Sequence, residues 1–445
     1  MIRLIQKTIG LIFKNDQGES HFSDFLIRNS VQLLLLNGCS LLLGFVSNYV
    51  LIRFAGVSDY GSYVYIFNLL YLLLNFCIIG TDTLLIKKIS VYDVAGSHGG
   101  LKGIIFFGMI AAICGSIVIS IISEIVVTHT KLIRRVEDFN WLVLSVSSLL
   151  MLSITAVSQA SLQGLKKIIS SHFPEKILKP LVIIIMVGVV FFIQKKVSVN
   201  NLVGINLAAM ALTLVITFGF LMRAIGGKLK TIRPKLELSN WTYSALSFFF
   251  IGMLYVLNSR IDIFILGLFR GNDEISVYNI ALKISDTVSF GLVTVNFVLA
   301  PVIARLFANN GMMELQRIMR RAAEMVLFFS LPVLVGIIFL RHQALGFFKV
   351  DFFNGSTALL ILGAGQLINV VFGSVGTLLM MTGNQKFSIY ALILSTVLNI
   401  IFNITLTPKY GIIGTSIATA ASLAMWNVLM YFFARRKLKI ETTAF

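Results

Sequence analysis

Runs of about twenty apolar residues recur from one end of this chain to the other, and they decide what it can fold into. Twelve are read as spans: 29–51, 61–80, 103–123, 141–163, 177–193, 201–222, 241–268, 276–300, 322–340, 356–381, 387–406 and 411–433. Each is long enough to cross a hydrocarbon core about 30 Å thick as a helix. Inside lipid only a helix or a closed barrel satisfies its own backbone. Barrel strands are about ten residues long with alternating polarity, which these runs are not. The chain is therefore an all-α polytopic membrane protein of about twelve helices. Composition agrees: 57% of the 445 residues are hydrophobic and only 13% charged, too few polar groups to cover a water-soluble surface. Cys39, Cys77 and Cys114 all fall inside apolar runs without CxxC spacing and read as small core hydrophobes.

The formal charge of +18 looks at first like an attraction for an anionic partner. Most of it is topology. With both termini inside, 25 of the 37 basic residues fall in cytoplasmic segments and ten on the opposite side. That bias fits the positive-inside rule and contact with anionic lipid heads. With Lys179, at the very start of span 177–193, counted among the cytoplasmic charges, only Arg260 and Lys283 remain within spans. The segment Met1–Phe13 carries isoleucines at helical spacing and suits a short surface helix. Trp141 and Trp241 start spans, where indoles favour the headgroup zone.

The loops are too short to hold a soluble domain. No GxxxxGK[ST] loop is present, so no ATPase module is expected. The five histidines show no metal-ligand spacing, and no Ser/His/Asp constellation exists, so neither a metal site nor a catalytic residue is expected. Nothing points to nucleic acid.

Three landmarks recur at similar offsets. Tyr63 of Gly56–Tyr63 and Tyr278 of Gly271–Tyr278 are 215 apart, Gly164 and Gly383 are 219 apart, and Gly204 and Gly414 are 210 apart. Their order suggests two six-helix repeats crossing in the same sense, related by a pseudo-two-fold axis along the membrane normal. The segments are then a cytoplasmic 1–28, a first bundle 29–222, a basic connector 223–240, a second bundle 241–433 and a cytoplasmic tail 434–445.

A charge at mid-bilayer costs about 2.5–3.5 kcal/mol even on a lenient scale, so ionisable residues in or near spans mark candidate sites. Arg260 and Asp262 lie two apart on helix 7 and cannot pair with each other. The Arg260 guanidinium suits bidentate contact with a phosphate. Asp262 is either a partner of Lys283 or a coupling-ion site. Lys283 and Asp286 share a face of helix 8, either as a neutralising pair or as the lining of a water-filled cavity between the halves. Asp82, with Lys87 and Lys88 one turn on, reads as an interfacial ion cluster or a coupling group. Arg53 and Arg305, near span ends, are interfacial anchors or cavity cations. Pro301 and Pro332 permit kinks. The stripe Asn369, Ser374, Thr377, Thr382, Ser395, Thr396, Asn399 and Asn403 serves helix-to-helix hydrogen bonding or a sugar-facing surface.

The stretches Leu379–Lys386, Asn399–Asn403 and Thr407–Ala420 resemble the polysaccharide-transport branch of the multidrug/oligosaccharidyl-lipid/polysaccharide exporter superfamily. So do Arg260–Asp262, Val277–Ala281, Pro301–Arg305, Tyr60–Tyr63 and Gln163–Lys166. The resemblance covers nearly the whole chain, although the lipid II flippases of that superfamily usually have fourteen helices. It implies a V of two six-helix bundles around a cationic central cavity. It also implies an alternating-access flippase for an undecaprenyl-pyrophosphate-linked O-antigen or capsule repeat unit in the bacterial inner membrane. No cofactor is implied beyond a coupling ion, H+ or Na+. The implied partners are the lipid-linked oligosaccharide, membrane lipids, and glycosyltransferases and a polysaccharide polymerase of the same pathway. On that basis Arg260, Lys283, Arg305 and Arg53 are the substrate-binding candidates, and Asp82, Asp262 and Asp286 the coupling or charge-partner candidates. Two alternatives stand: a cation-coupled multidrug exporter of the same superfamily, kept alive by Asp262 and Asp286, and a polysaccharide polymerase or ligase, for which Lys131, Arg134 and Arg135 are the available basic cluster.

Overall fold

The computed structural model describes residues 20–130, 140–226, 233–350 and 353–443. The expected surface helix at Met1–Phe13 and the cluster Lys131, Arg134 and Arg135 lie outside them. Among the described residues the secondary structure is entirely helical, and twelve helices are long and apolar enough to cross a membrane.

The first half comprises α1 (Ser20–Ala55), α2 (Val57–Ile78), α3 (Thr81–Val94), α4 (His98–Thr130), α5 (Trp141–Gly164), α6 (Ile168–Phe173), α7 (Lys179–Gln194) and α8 (Val199–Ile225). A π-helical turn, Pro174–Leu178, joins α6 to α7. The second half comprises α9 (Leu238–Phe269), α10 (Asn272–Ala308), α11 (Met312–Phe347), α12 (Phe353–Phe372), α13 (Val375–Met381), α14 (Gln385–Tyr410) and α15 (Ile412–Leu438). Two expected spans are broken. Span 61–80 ends at Ile79 and Gly80, both at positive φ, and continues as α3. Span 356–381 breaks at Gly373, also at positive φ, between α12 and α13. Helices α10 and α11 run through Pro301 and Pro332.

The expected counterpart helix ends at Gly164 and Gly383 stop in the same way. At the end of α5, Lys167 N bonds Leu162 O (2.8 Å) and Lys166 N bonds Gln163 O (2.9 Å). At the end of α13, Asn384 N bonds Leu379 O (2.9 Å) and Gly383 N bonds Met380 O (3.4 Å). Both ends use the same left-handed capping turn, with Lys166 at φ 60° where Gly383 sits at φ 76°.

Helix direction defines two sides: a connector side, holding the 226–238 link and the C-terminal tail, and a distal side, holding Gly56 and Gly271. The apolar interior is one core on the distal side and two on the connector side. The distal core joins both halves, packing Leu51, Tyr60 and Leu70 with Ile275, Tyr278 and Leu345. On the connector side the halves part. One core packs Leu84, Ile104 and Val157, and a separate one packs Ile303, Leu315 and Leu378. Two bundles that share a core at one end only form a V open at the other.

The distal contact is close because Gly61 allows it: a Cβ there would collide with the backbone carbonyl of Asn272. Asn272 Nδ2 donates to Ser62 Oγ (2.7 Å), and Tyr49 stacks on Phe347 with ring centres 4.4 Å apart. Helix α9 changes partner along its length. Trp241 and Ala245 belong to the connector-side core of the first bundle, whereas Ile263 and Leu266 belong to the shared distal core. It crosses over the α2–α3 break, where a side chain at Gly80 would strike the α9 backbone at Ala245 and Phe249.

Both tryptophans at span starts are buried within the protein. Trp241 is wholly buried with its indole N–H toward Tyr92 Oη (3.3 Å), and Trp141 is buried with its own toward Ser123 Oγ (3.1 Å). Each indole finds its polar partner inside the protein instead of at the lipid surface.

Candidate functional site

Between the bundles, polar and cationic side chains from both halves converge. Arg260 on α9 carries its guanidinium over the Tyr71 ring of α2, 4.6 Å from the ring centre. Asn68, one turn before Tyr71, holds Arg260 twice: its Nδ2 donates to Arg260 O (3.0 Å), and its Oδ1 stands 3.4 Å from Arg260 Nη1. Lys179 Nζ donates to Tyr71 Oη (2.9 Å), so Tyr71 is shared by two cations from opposite bundles. Lys176 Nζ donates to Asn37 Oδ1 (2.6 Å), and Gln159 Nε2 donates to Glu175 Oε2 (2.8 Å).

Lys176 and Lys179 join this cluster, although the sequence reading groups them with the loop charges. The π-helical turn over Pro174–Leu178 adds an extra residue to the helix and re-aims this segment, and such turns concentrate at functional sites. The legible signal was Pro174 and Pro180 bracketing a charged run in an apolar span.

Lys283 on α10 directs Nζ toward Asn48 Oδ1 of α1 (3.4 Å). The same oxygen accepts from Tyr60 Oη (2.7 Å), which accepts from Asn279 Nδ2 (2.7 Å). Lys283 and Asp286 feel each other's charge along the shared face but form no direct salt bridge. Asp286 is engaged by Gln366 Nε2 of α12 (2.8 Å). Lys283 leans across to the first bundle because an amide oxygen is presented to it there. Asp286 is exposed although it lies fourteen residues into α10.

Measured along its own helix at 1.5 Å per residue, Arg260 lies about 14 Å from the distal helix end, Lys283 about 17 Å, Lys179 about 22 Å and Lys176 about 27 Å. Together they make a cationic track from mid-membrane toward the connector side.

Asp262 is not the partner of Lys283. It is buried, 3% exposed, inside the second bundle. Its Oδ2 accepts from Tyr278 Oη (2.9 Å) and Thr419 Oγ1 (2.8 Å). Its Oδ1 is buried without a hydrogen bond, with Asn399 alongside. The two-residue offset from Arg260 places Asp262 on the opposite face of α9, toward α10 and α15. Around it the polar stripe of α14 is turned inward: Asn399 Nδ2 donates to Ser422 Oγ (3.0 Å), Asn403 Nδ2 to Asn399 Oδ1 (3.0 Å), and Thr407 Oγ1 lies 3.0 Å from Thr415 Oγ1. This part of the stripe serves helix-to-helix bonding, not a sugar-facing surface.

The remaining candidates lie apart. Arg53 is exposed at the distal end of α1. Arg305 is in the last turn of α10, about 33 Å along the helix from Lys283. Asp82 sits in the first turn of α3 against Thr83, and Lys87 lies over the Phe248 ring at 5.9 Å, so Asp82 and Lys87 each have partners other than one another.

Comparison with known proteins adds family context to this geometry. The profile described as polysaccharide biosynthesis protein matches residues 26–307, and the MatE profile matches residues 248–405. The probable low-salt glycan biosynthesis flippase of Haloferax volcanii is 24% identical over 172 residues, 38% of this chain and 36% of that protein. A second protein of the same organism, a probable flippase, is 25% identical over 177 residues, 38% of this chain and 37% of its own length. These matches span little more than a third of either relative. Among solved structures, an inward-facing multidrug resistance MATE family transporter has a TM-score of 0.73 at 14% identity, covering 90% of this chain and 94% of that one. The lipid II flippase MurJ in an inward closed conformation has a TM-score of 0.68 at 15% identity, covering 91% and 87%.

Proposed function

The chain belongs to the polysaccharide biosynthesis protein family, within the multidrug/oligosaccharidyl-lipid/polysaccharide exporter superfamily, and on that premise we propose that it is a flippase for a lipid-linked oligosaccharide. The observation that carries this reading is the track of Arg260, Lys283, Lys179 and Lys176 between the bundles. Four cations in a low-dielectric cavity call for an anionic partner, and a pyrophosphate bearing a lipid chain and a glycan supplies one. The glycan lies in the cavity, among Asn37, Asn48, Asn68 and Gln159, and the lipid chain stays in the bilayer. The finer assignment, an undecaprenyl carrier with an O-antigen or capsule repeat unit, follows the sequence resemblance. So does the placement in a bacterial inner membrane with the connector and both termini cytoplasmic. On that orientation the V opens to the cytoplasm, where such substrates are assembled by glycosyltransferases, and a polymerase acts on the product across the membrane.

Alternating access then requires the distal contact at Gly61 and Asn272 to part while the connector side closes. Asp262 is the coupling group in this reading. Its buried carboxylate, set among Tyr278, Thr419 and Asn399, suits a proton or a sodium ion, and it ties α9 to α10 and α15.

The competing reading, a cation-coupled multidrug exporter, draws on the MatE match and on Asp286. The balance of charge in the cavity opposes it: Lys176, Lys179, Arg260 and Lys283 outnumber Glu175 and Asp286, and an organic cation would be repelled. The test is translocation by the full chain reconstituted in liposomes. A fluorescent polyprenyl-pyrophosphate oligosaccharide should cross at a rate that collapses in Arg260→Ala and Lys283→Ala. Movement of ethidium at wild-type rate in those variants, with no movement of the glycolipid in any protein, would favour the exporter.

A further inference from the structure

The cations of the cavity are also fasteners between the bundles. Lys283 and Arg260 belong to the second bundle, and the oxygens they approach, Asn48 Oδ1 and Asn68 Oδ1, belong to the first, each at 3.4 Å. Both acceptors are neutral amides at the long end of hydrogen bonding. An anionic oxygen adds to the hydrogen bond a Coulombic attraction that a neutral amide lacks. These contacts therefore hold the cations in place yet lose them to an arriving anion. Asn48 is fixed for the role: its Nδ2 donates to Gly44 O (2.6 Å), which aims Oδ1 at the second bundle. That oxygen also carries the Tyr60–Asn279 chain across the same interface. Asn68 is fixed by its second bond, to the backbone of Arg260.

We propose that Asn48 and Asn68 are displaceable latches. A pyrophosphate that engages Lys283 and Arg260 takes both cations from their amide partners and so undoes two ties between the bundles, deeper in the membrane than the Gly61–Asn272 contact. The inference rests on the reading that the cavity receives a pyrophosphate. It explains why neutral residues stand opposite the cations. A carboxylate at either position would form a salt bridge and compete with the substrate, and an apolar residue would leave the empty cavity unlatched. Substrate shifts the distal opening only by binding the unlatched state better, and here the difference is two cations freed for the ligand.

The experiment uses the full chain in nanodiscs with spin labels at Ser58→Cys and Asp273→Cys, exposed positions on either side of the distal contact, after Cys39, Cys77 and Cys114 are each replaced by Ala. Pulsed EPR reads the distance while inorganic pyrophosphate is titrated, and calorimetry reads its binding. We expect the distance to widen with pyrophosphate. The midpoint should fall about ten-fold in Asn48→Ala and Asn68→Ala and rise about ten-fold in Asn48→Asp and Asn68→Asp. Thermal melts identify any variant that fails to fold, and the other position then carries the comparison. Unchanged midpoints in folded variants that still bind pyrophosphate would overturn the latch and leave the cavity reading intact. Calorimetry showing no binding to the wild-type cavity would overturn both.

Discussion

The guanidinium of Arg260, from the second bundle, stacks 4.6 Å from the centre of the Tyr71 ring of the first. Tyr71 in turn accepts a hydrogen bond from Lys179. One aromatic ring thus spaces two cations that would otherwise repel. Removing the ring should cost the cation–π term, about 0.5–2 kcal/mol, and let the cations separate. Tyr71→Ala is expected to weaken pyrophosphate affinity several-fold. Tyr71→Phe, which keeps the face and loses the hydroxyl, should fall between it and wild type. Calorimetric titration with inorganic pyrophosphate distinguishes them.

Arg260→Ala should abolish surface polysaccharide display while protein level in the membrane stays normal. Arg260→Lys should be intermediate, because a lysine keeps the charge and loses the bidentate fork. Complementation of a flippase-deletion strain, scored alongside immunoblots of membranes, checks both. Normal display by Arg260→Ala would remove this residue from the mechanism.

Truncating Asp262 removes the acceptor shared by Tyr278 Oη and Thr419 Oγ1 and leaves those hydroxyls only each other and Thr415 O. Asp262→Ala should therefore lower stability by about 1–3 kcal/mol, seen as an earlier melt in detergent. Asp262→Asn retains an acceptor and should melt close to wild type, yet lose the dependence of transport on the ion gradient. Gradient-driven uptake in the Asn variant would exclude Asp262 as the coupling group.

Gly61→Ala places a methyl group against the Asn272 carbonyl. The distal contact must loosen, so the variant should favour the distally open state. Disulfide trapping between Ser62→Cys and Asn272→Cys, efficient in the parent, should drop sharply in Gly61→Ala.

The C-terminal tail is held by a side-chain amide acting as a strand partner. Gln316 Nε2 donates to Glu441 O (2.8 Å), and Glu441 N donates to Gln316 Oε1 (2.7 Å). Next to it Ile440, 1% exposed, packs into the connector-side core of the second bundle. Ile440→Ala should cost about 2–4 kcal/mol of docking. Gln316→Ala should cost about 1–2 kcal/mol. Faster amide hydrogen exchange at 440–442 would report either loss.

Much of the architecture was legible in the sequence. Runs of twenty apolar residues permit only helices in a bilayer, so the number and the approximate limits of the spans follow from backbone hydrogen bonding alone. In-span charge was equally readable for Arg260 and Lys283, because lipid tolerates such groups only with partners. Lys179 escaped because it stands three residues inside a span whose end cannot be fixed to better than a turn, and its aim depends on a π-helical turn at which only the flanking Pro174 and Pro180 hint. Pairing escaped as well. Lys283 and Asp286 share a helix face, yet each is taken by another helix, Lys283 by Asn48 and Asp286 by Gln366.

The sequence by itself determined that this is a twelve-span helical membrane protein with two similar halves and a few charges that lipid would reject. That follows from local physics: hydrogen-bond satisfaction, apolar run length and the cost of a bare charge. The tertiary structure decided which charges meet. Asp262 faces into the second bundle, whereas Arg260, two residues earlier, reaches across to the first. Only the packing of α9, which changes bundles at Gly80, sets what each of them touches, because contacts between helices hundreds of residues apart depend on crossing geometry that no local pattern encodes.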